Sequence, residues 1–231
     1  MKPASPSENP ETRILVVDDH PLFRQGVAEL IAHEPGWVCC GQAGNVREAW
    51  AAVERCQPHL VLLDLRLGAS DGLDLLADLT GRLPHLPVLI LSQCDELVYA
   101  ERALRAGARG YIMKDQATEE IVLAVRSVLA GKIYASRLMG LRVLQRSIGL
   151  TTQSERSSLD LLSTRELQVF QRLGAGLSTR EIAVQLHLSH KTIETHRDHI
   201  KQKFGLPNAA ALVRCASAWV ETEIPPGSGS A

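Results

Sequence analysis

No apolar run in this 231-residue chain approaches the roughly 20 residues that span a bilayer, so a helical membrane protein is not expected. The five cysteines, at 39, 40, 56, 94 and 215, are odd in number and include no CxxC pair. That pattern argues against a disulfide framework or a zinc site and for buried, reduced thiols in a cytoplasmic protein. There is no excess of either charge: the net value of -1 excludes a chain that coats nucleic acid along its whole length. No internal repeat is present. The opening MKPASPSENPETR is polar and Pro-rich, has no apolar core like that of a signal peptide, and is expected to be a disordered lead-in with no export.

What is present is an ordinary globular balance, 45% hydrophobic and 22% charged, long enough for one or two domains with modest cores. From Arg13 to about Gly131, short apolar runs (Ile14–Val17, Val38–Cys40, Leu60–Leu63, Val88–Leu91, Gly110–Met113) alternate with helical-length stretches. Those stretches are Pro21–His33, Asn45–Cys56, Gly72–Gly81, Asp95–Ala106 and Thr118–Ala130. Continuously apolar strands alternating with helices predict a doubly wound α/β domain, flavodoxin-like, with five parallel strands. The pattern then changes. IYASRLMGLRVLQRS suits a connecting helix, and the Ser/Thr-rich stretch near 147–158 suits a flexible linker. From Leu162 onward the chain reads as helix only, with capping-box spacings at Ser163/Glu166 and Ser178/Glu181. The predicted organisation is a disordered 1–12, an α/β domain over 13–131, a partly helical linker over 132–158, an all-α four-helix domain over 159–222 and a disordered tail over 223–231. Between Asp160 and Val220 eight Lys/Arg face five acids, so a nucleic-acid partner would meet this segment.

In a parallel α/β sheet, ligands bind beyond the carboxyl ends of the strands. There the chain places Asp18 and Asp19 after strand one, Asp64 after strand three, Ser92 after strand four and Lys114 after strand five. Clustered carboxylates favour a hard divalent cation such as Mg²⁺, or Mn²⁺. A carboxylate at such a site can attack phosphorus, with ammonium and hydroxyl donors neutralising the transferring group. Asp64, alone in ending a central strand, is the expected nucleophile, with Asp18, Asp19 and the Arg66 backbone carbonyl as further metal ligands. Taken singly the residues say little: Asp-Asp before His-Pro also suits a helix start, and His20 reads as structural.

VVDDHPLFRQG, LVLLDLRLGASDGLDLL, PVLILS and AGARGYIMKD resemble the receiver domain of two-component response regulators over about 120 residues. The resemblance implies that Asp64 takes a phosphoryl group from a sensor histidine kinase, and that Ser92 and Tyr111 are the switch pair. On this view Ser92 bonds a phosphoryl oxygen and Tyr111 turns inward. Leu67-Gly68 stands where the family often has Met-Pro, while Asp71-Gly72 keeps its spacing. Lys114 is followed by Asp115 where proline is common, and Ser92 by Gln93 where a smaller residue is common.

On a helix over His190–Phe204, Ile193, His196, Ile200 and Phe204 share one stripe. Lys191, Glu194, Thr195 and Asp198 point away from it. Arg197 and Lys201 flank that row on one side, and Thr192, His199 and Lys203 on the other. The outward row suits base edges in a major groove and the flanks suit phosphates, with Asp198 alternatively balancing Lys201. His196 is expected to be packed and hydrogen-bonded. With Thr179–Leu186 before it and a short turn at His187-Leu188, this segment resembles the LuxR-type helix-turn-helix domain, with the motif over Ser178 to Arg197.

Receiver, linker and helix-turn-helix together resemble the NarL/FixJ family. The resemblance implies a cytoplasmic, non-enzymatic transcription regulator, a homodimer when phosphorylated or DNA-bound, that meets double-stranded DNA. RNA polymerase is a further candidate partner and a membrane is not. Two rivals remain open: a dehalogenase-type phosphatase, which would place its nucleophile after strand one, and a regulator whose receiver is silent.

Overall fold

The computed structural model describes residues 11–68, 70–94, 96–116, 118–136, 139–140, 159 and 161–223. The chain divides into two compact units, 1–151 and 152–231. The expected disordered lead-in, the connecting helix and the 147–158 linker lie wholly or mostly outside the described residues, as does most of the tail.

The first unit runs β1 (Thr12–Val17), α1 (Pro21–His33), β2 (Trp37–Ala43), α2 (Val46–Cys56), β3 (Leu60–Leu63), β4 (Arg66–Leu67), β5 (Ser70–Asp71), α3 (Gly72–Arg82), β6 (Val88–Ser92), α4 (Glu96–Arg105), β7 (Gly110–Met113) and α5 (Thr118–Leu129). Five strands pair in parallel in the order β2-β1-β3-β6-β7. β1 and β3 lie inside the sheet, and their Ile, Leu and Val side chains are almost completely buried. Each such side chain contributes on the order of 1.5–3 kcal/mol of hydrophobic stabilisation. Ile14, Val16, Leu60, Leu62, Leu89 and Ile112 form one core with Val27 and Ile31 of α1 and Val125 and Val128 of α5.

Two details depart from the expected elements. β2 is longer than its apolar run, and its register against β1 shifts between Ile14 and Leu15, leaving Cys40 as the extra residue. The segment after Asp64 folds into a minimal antiparallel hairpin, β4 on β5, with Gly68 in the left-handed region at φ 60°.

The second unit contains α6 (Thr164–Gly174), α7 (Thr179–Leu186), α8 (His190–Phe204) and α9 (Ala209–Glu223). Both predicted capping boxes form: Ser163 with Glu166, and Ser178 with Glu181. α7 ends at His187, which takes the left-handed conformation at φ 54°, and α8 ends at Gly205, at φ 64°. Phe170 sits at the centre, its ring 5.4 Å from Phe204 and 6.0 Å from Trp219. α6 and α9 approach so closely that a Cβ on Gly174 would lie 2.4 Å from the Ala216 carbonyl oxygen.

Candidate functional site

The ladder of the first unit runs past the strand ends and so fixes the site residues. Asp18 donates its amide to Ala43, Asp64 to Val17 and Lys114 to Ser92, each at 2.9 Å. Strands β1, β3 and β7, the last separated from β3 by β6, therefore deliver a carboxylate, a carboxylate and an ammonium to one edge. Lys114 Nζ lies 2.6 Å from Asp18 Oδ2 and 2.6 Å from Asp64 Oδ2. The other Asp64 oxygen, Oδ1, accepts from Ser92 Oγ at 2.6 Å and from the Arg66 amide at 3.1 Å. Asp18, Asp64 and Ser92 are each 2% exposed or less. Burial pushes the Asp18 carboxyl above its ordinary value, against the opposing pull of the Lys114 charge.

Asp19 lies on the rim. Its Oδ2 accepts from the Gly68 amide at 2.8 Å. Its Oδ1 is buried and accepts no hydrogen bond among the described residues. His20 Nδ1 stands 2.7 Å away, in ion-pair range but out of hydrogen-bond alignment. Asp18, Asp19, His20 and Asp64 bring ligand atoms within 4.8 Å of one another. His20, read as structural, is thus a member of the cluster, and its amide also caps Asp18 Oδ1 at 2.9 Å. Three carboxylates against the single ammonium of Lys114 leave a negative cluster of hard oxygen donors with one orphaned oxygen, which is what a hard divalent cation requires.

Tyr111 is already inward. It is 1% exposed, and its hydroxyl donates to the Cys94 carbonyl at 2.6 Å. The inward position, expected of it on phosphorylation, is thus the one this structure shows. A residue that sequence reasoning noted only for its spacing proves structural to the site. The Gly72 amide donates to the Leu65 carbonyl at 2.9 Å, and a Cβ there would lie 2.4 Å from the Asp64 carbonyl oxygen. Asp71 caps α3 through the Leu73 amide at 2.9 Å. Gln93 also has a partner: its Oε1 accepts from Arg66 Nη2 at 2.5 Å.

In the second unit Ile193 and Ile200 are buried, Phe204 and His196 half-buried, and Lys191, Thr195 and Asp198 exposed, so α8 presents the two faces expected of it. The flanks differ from a simple wheel. Arg197 Nη1 donates to Thr179 Oγ1 of α7 at 2.5 Å and to Glu194 Oε1 at 2.9 Å. Lys203 Nζ donates to Glu166 Oε2 of α6 at 2.6 Å. Lys201 pairs with Asp198 at 2.8 Å, the balancing role foreseen for that acid. Thr192 Oγ1 shares a 2.7 Å hydrogen bond with the cap residue Ser189, and Thr195 Oγ1 donates back to the Lys191 carbonyl at 3.1 Å. His196 is packed as expected, but its Nδ1 is buried with no hydrogen-bond partner among the described residues. Burial holds its pKa below the ordinary 6.5.

A carboxylate–lysine cluster at the carboxyl edge of a five-stranded parallel sheet, followed by a capped helix-turn-helix unit, defines a regulator with a separate input and output. Known proteins agree. The receiver domain of response regulators matches residues 14–126, and the luxR family of bacterial regulatory proteins matches 160–216. The transcriptional regulatory protein MctR of Rhizobium johnstonii is 33% identical over 215 residues, which cover 91% of this chain and 95% of that one. The oxygen regulatory protein NreC of Staphylococcus aureus is 30% identical over 208 residues, 88% and 96% of the two chains. The crystal structure of a LuxR-family two-component response regulator from Aurantimonas sp. SI85-9A1 matches with TM-score 0.55 and 28% identity, over 60% of this chain and 99% of that one. The chain belongs to the NarL/FixJ family. It is a two-component response regulator that controls transcription. Among its described residues no helix is long and apolar enough to cross a membrane.

Proposed function

We propose that Asp64 is the phospho-acceptor. The observation that carries this reading is the bonding of its two carboxylate oxygens to Lys114 and Ser92, beside Asp18 and Asp19. A carboxylate oxygen of Asp64 attacks the phosphorus of a phosphohistidine on the sensor kinase. The P–N bond breaks as the P–O bond forms, and the leaving imidazole takes the electron pair. Lys114 neutralises one phosphoryl oxygen, and Ser92 moves its hydroxyl from Asp64 to another. Asp18, Asp19, Asp64 and the Arg66 carbonyl would hold Mg²⁺ or Mn²⁺, which supplies the remaining neutralisation when bound. The chain turns over nothing else: its chemistry is its own phosphorylation and slow dephosphorylation.

The receiver occupies 13–131, the linker 132–158 and the DNA-binding domain 159–222, working in the cytoplasm. On α8, Lys191, Glu194, Thr195 and Asp198 address base edges, and Thr192 and Lys201 the phosphates. The partners of Arg197 and Lys203 on α7 and α6 favour a supporting role for these two residues alongside contact with a backbone phosphate. Phosphorylation pairs two chains on half-sites about one helical turn apart, where RNA polymerase is a further partner. Asp64→Asn is expected to abolish acyl-phosphate formation from acetyl phosphate and Mg²⁺. An undiminished shifted band on a Phos-tag gel would remove the assignment.

A further inference from the structure

β7 is the last strand of the sheet, with β6 on one side only, so its outer amides and carbonyls need a partner from elsewhere. The segment that follows α5 supplies it. The Tyr134 amide donates to the Arg109 carbonyl at 2.9 Å, and the Tyr134 carbonyl accepts from the Tyr111 amide at 3.2 Å. Together these make a one-residue parallel bridge between Tyr134 and Gly110. The approach depends on glycine: a Cβ at Gly110 would lie 2.7 Å from the Tyr134 carbonyl oxygen and 2.9 Å from Leu89 Cδ1.

Further contacts hold this strap. The Tyr134 hydroxyl donates to Glu120 of α5. Burial, with the Glu120 carboxylate, pushes that phenol up to about 12, so it stays a donor throughout the physiological range. The Ser136 amide donates to Glu96, the first residue of α4, at 3.3 Å, and Met139 is buried.

We infer that residues 134–136 are a detachable sixth strand that couples Tyr111 to the chain leading to the DNA-binding unit. One anchor of the strap is the backbone of Tyr111. Another is Glu96, two residues beyond the Cys94 carbonyl that Tyr111 holds. A shift of the Ser92–Glu96 segment therefore acts on two anchors together. The docked strap favours inward Tyr111, and by reciprocity inward Tyr111 favours docking. This inference rests on the reading that Ser92 and Tyr111 respond to a phosphoryl group on Asp64.

Gly110→Ala in the full chain tests it, with acetyl phosphate and Mg²⁺ as phosphodonor and a duplex selected by the phosphorylated wild type from a random-sequence pool as DNA probe. The variant should still be phosphorylated. Its Tyr111 and Tyr134 amides should exchange deuterium at least about tenfold faster than in wild type. The effect of phosphodonor on DNA affinity, expected at about fivefold or more in wild type, should fall close to none. A detached strap with an undiminished phosphodonor effect overturns the inference, as do unprotected Tyr111 and Tyr134 amides in wild type. Should Gly110→Ala fail to fold, Tyr134→Pro, which removes the donor to Arg109 and the phenol that meets Glu120, is read through exchange of the Tyr111 amide and through the phosphodonor effect, with the same outcomes. Wild type that takes no phosphoryl group would instead indict the Asp64 assignment.

Discussion

Asp18, Asp64 and Lys114 carry their charges at side-chain exposures of 3% or less, whereas Lys191, Thr195 and Asp198 of α8 stand in solvent. In the first unit, charge is concentrated by topology: parallel strands must end together, so acids and a lysine far apart in sequence meet. In the second, the exposed row is assembled along one helix, and its neighbours are tied to other helices. The receiver site is therefore sensitive to backbone placement, and the α8 surface to side-chain identity. Interior charges at close range interact strongly and are screened little, while exposed charges act through a salt-dependent field.

Paired glycine substitutions would break this contrast most sharply. Gly72 and Gly174 each leave a backbone oxygen 2.4 Å from a would-be Cβ, one in each unit. Either alanine should lower stability by roughly 1–3 kcal/mol. Only Gly72→Ala should also slow phosphorylation, on the order of a hundredfold, because it moves the Asp64 backbone. Equal phosphorylation rates in wild type and Gly72→Ala would show that placement is not the constraint. Next in size is Glu166→Ala, which takes partners from Ser163 and Lys203. A loss of about 1–3 kcal/mol in denaturant melts should be confined to the C-terminal transition.

A smaller effect separates two residues of α8. Lys201→Ala should weaken binding evenly and reduce the salt slope by about one unit, whereas Glu194→Ala should relax sequence choice. Equal losses on all sequences for both would contradict the division between base row and phosphate flank. The smallest effect is with pH. Because the folded pKa of His196 is lowered, the unfolded chain protonates first, and the second unit loses stability as pH falls below 6.5 towards that lowered value. Glu166 is desolvated, but its bonds to Lys203 and Ser163 outweigh that and hold it below 4.5. Its contribution, complete above 4.5, disappears as the pH falls through the lowered value. A C-terminal transition in which His196→Gln leaves the pH 5–7 slope unchanged would remove the histidine from this account.

Strand ends were legible because a continuously apolar run such as Leu60–Leu63 must be buried and must stop at a charge. The bounds of α7 and α8 were legible because Ser caps and the turn and glycine that follow them are local chemistry. β4 and β5, with two residues each, have no period to read. The extra residue at Cys40 is visible only against β1. The roles of Arg197 and Lys203 were hidden for a related reason: a helical wheel gives direction, while Thr179 and Glu166 belong to other helices. Tyr134 closes a sheet edge whose need for a partner appears only once β7 is known to be outermost.

Gly68 makes one part of this receiver non-interchangeable. Its amide caps Asp19, and its positive φ turns the hairpin after Asp64. Proline at this place would have neither the N–H nor access to that backbone angle. Grafting a loop with proline here would remove a support from a rim carboxylate, so loop exchange between regulators must carry the acid and its amide donor across as a single piece.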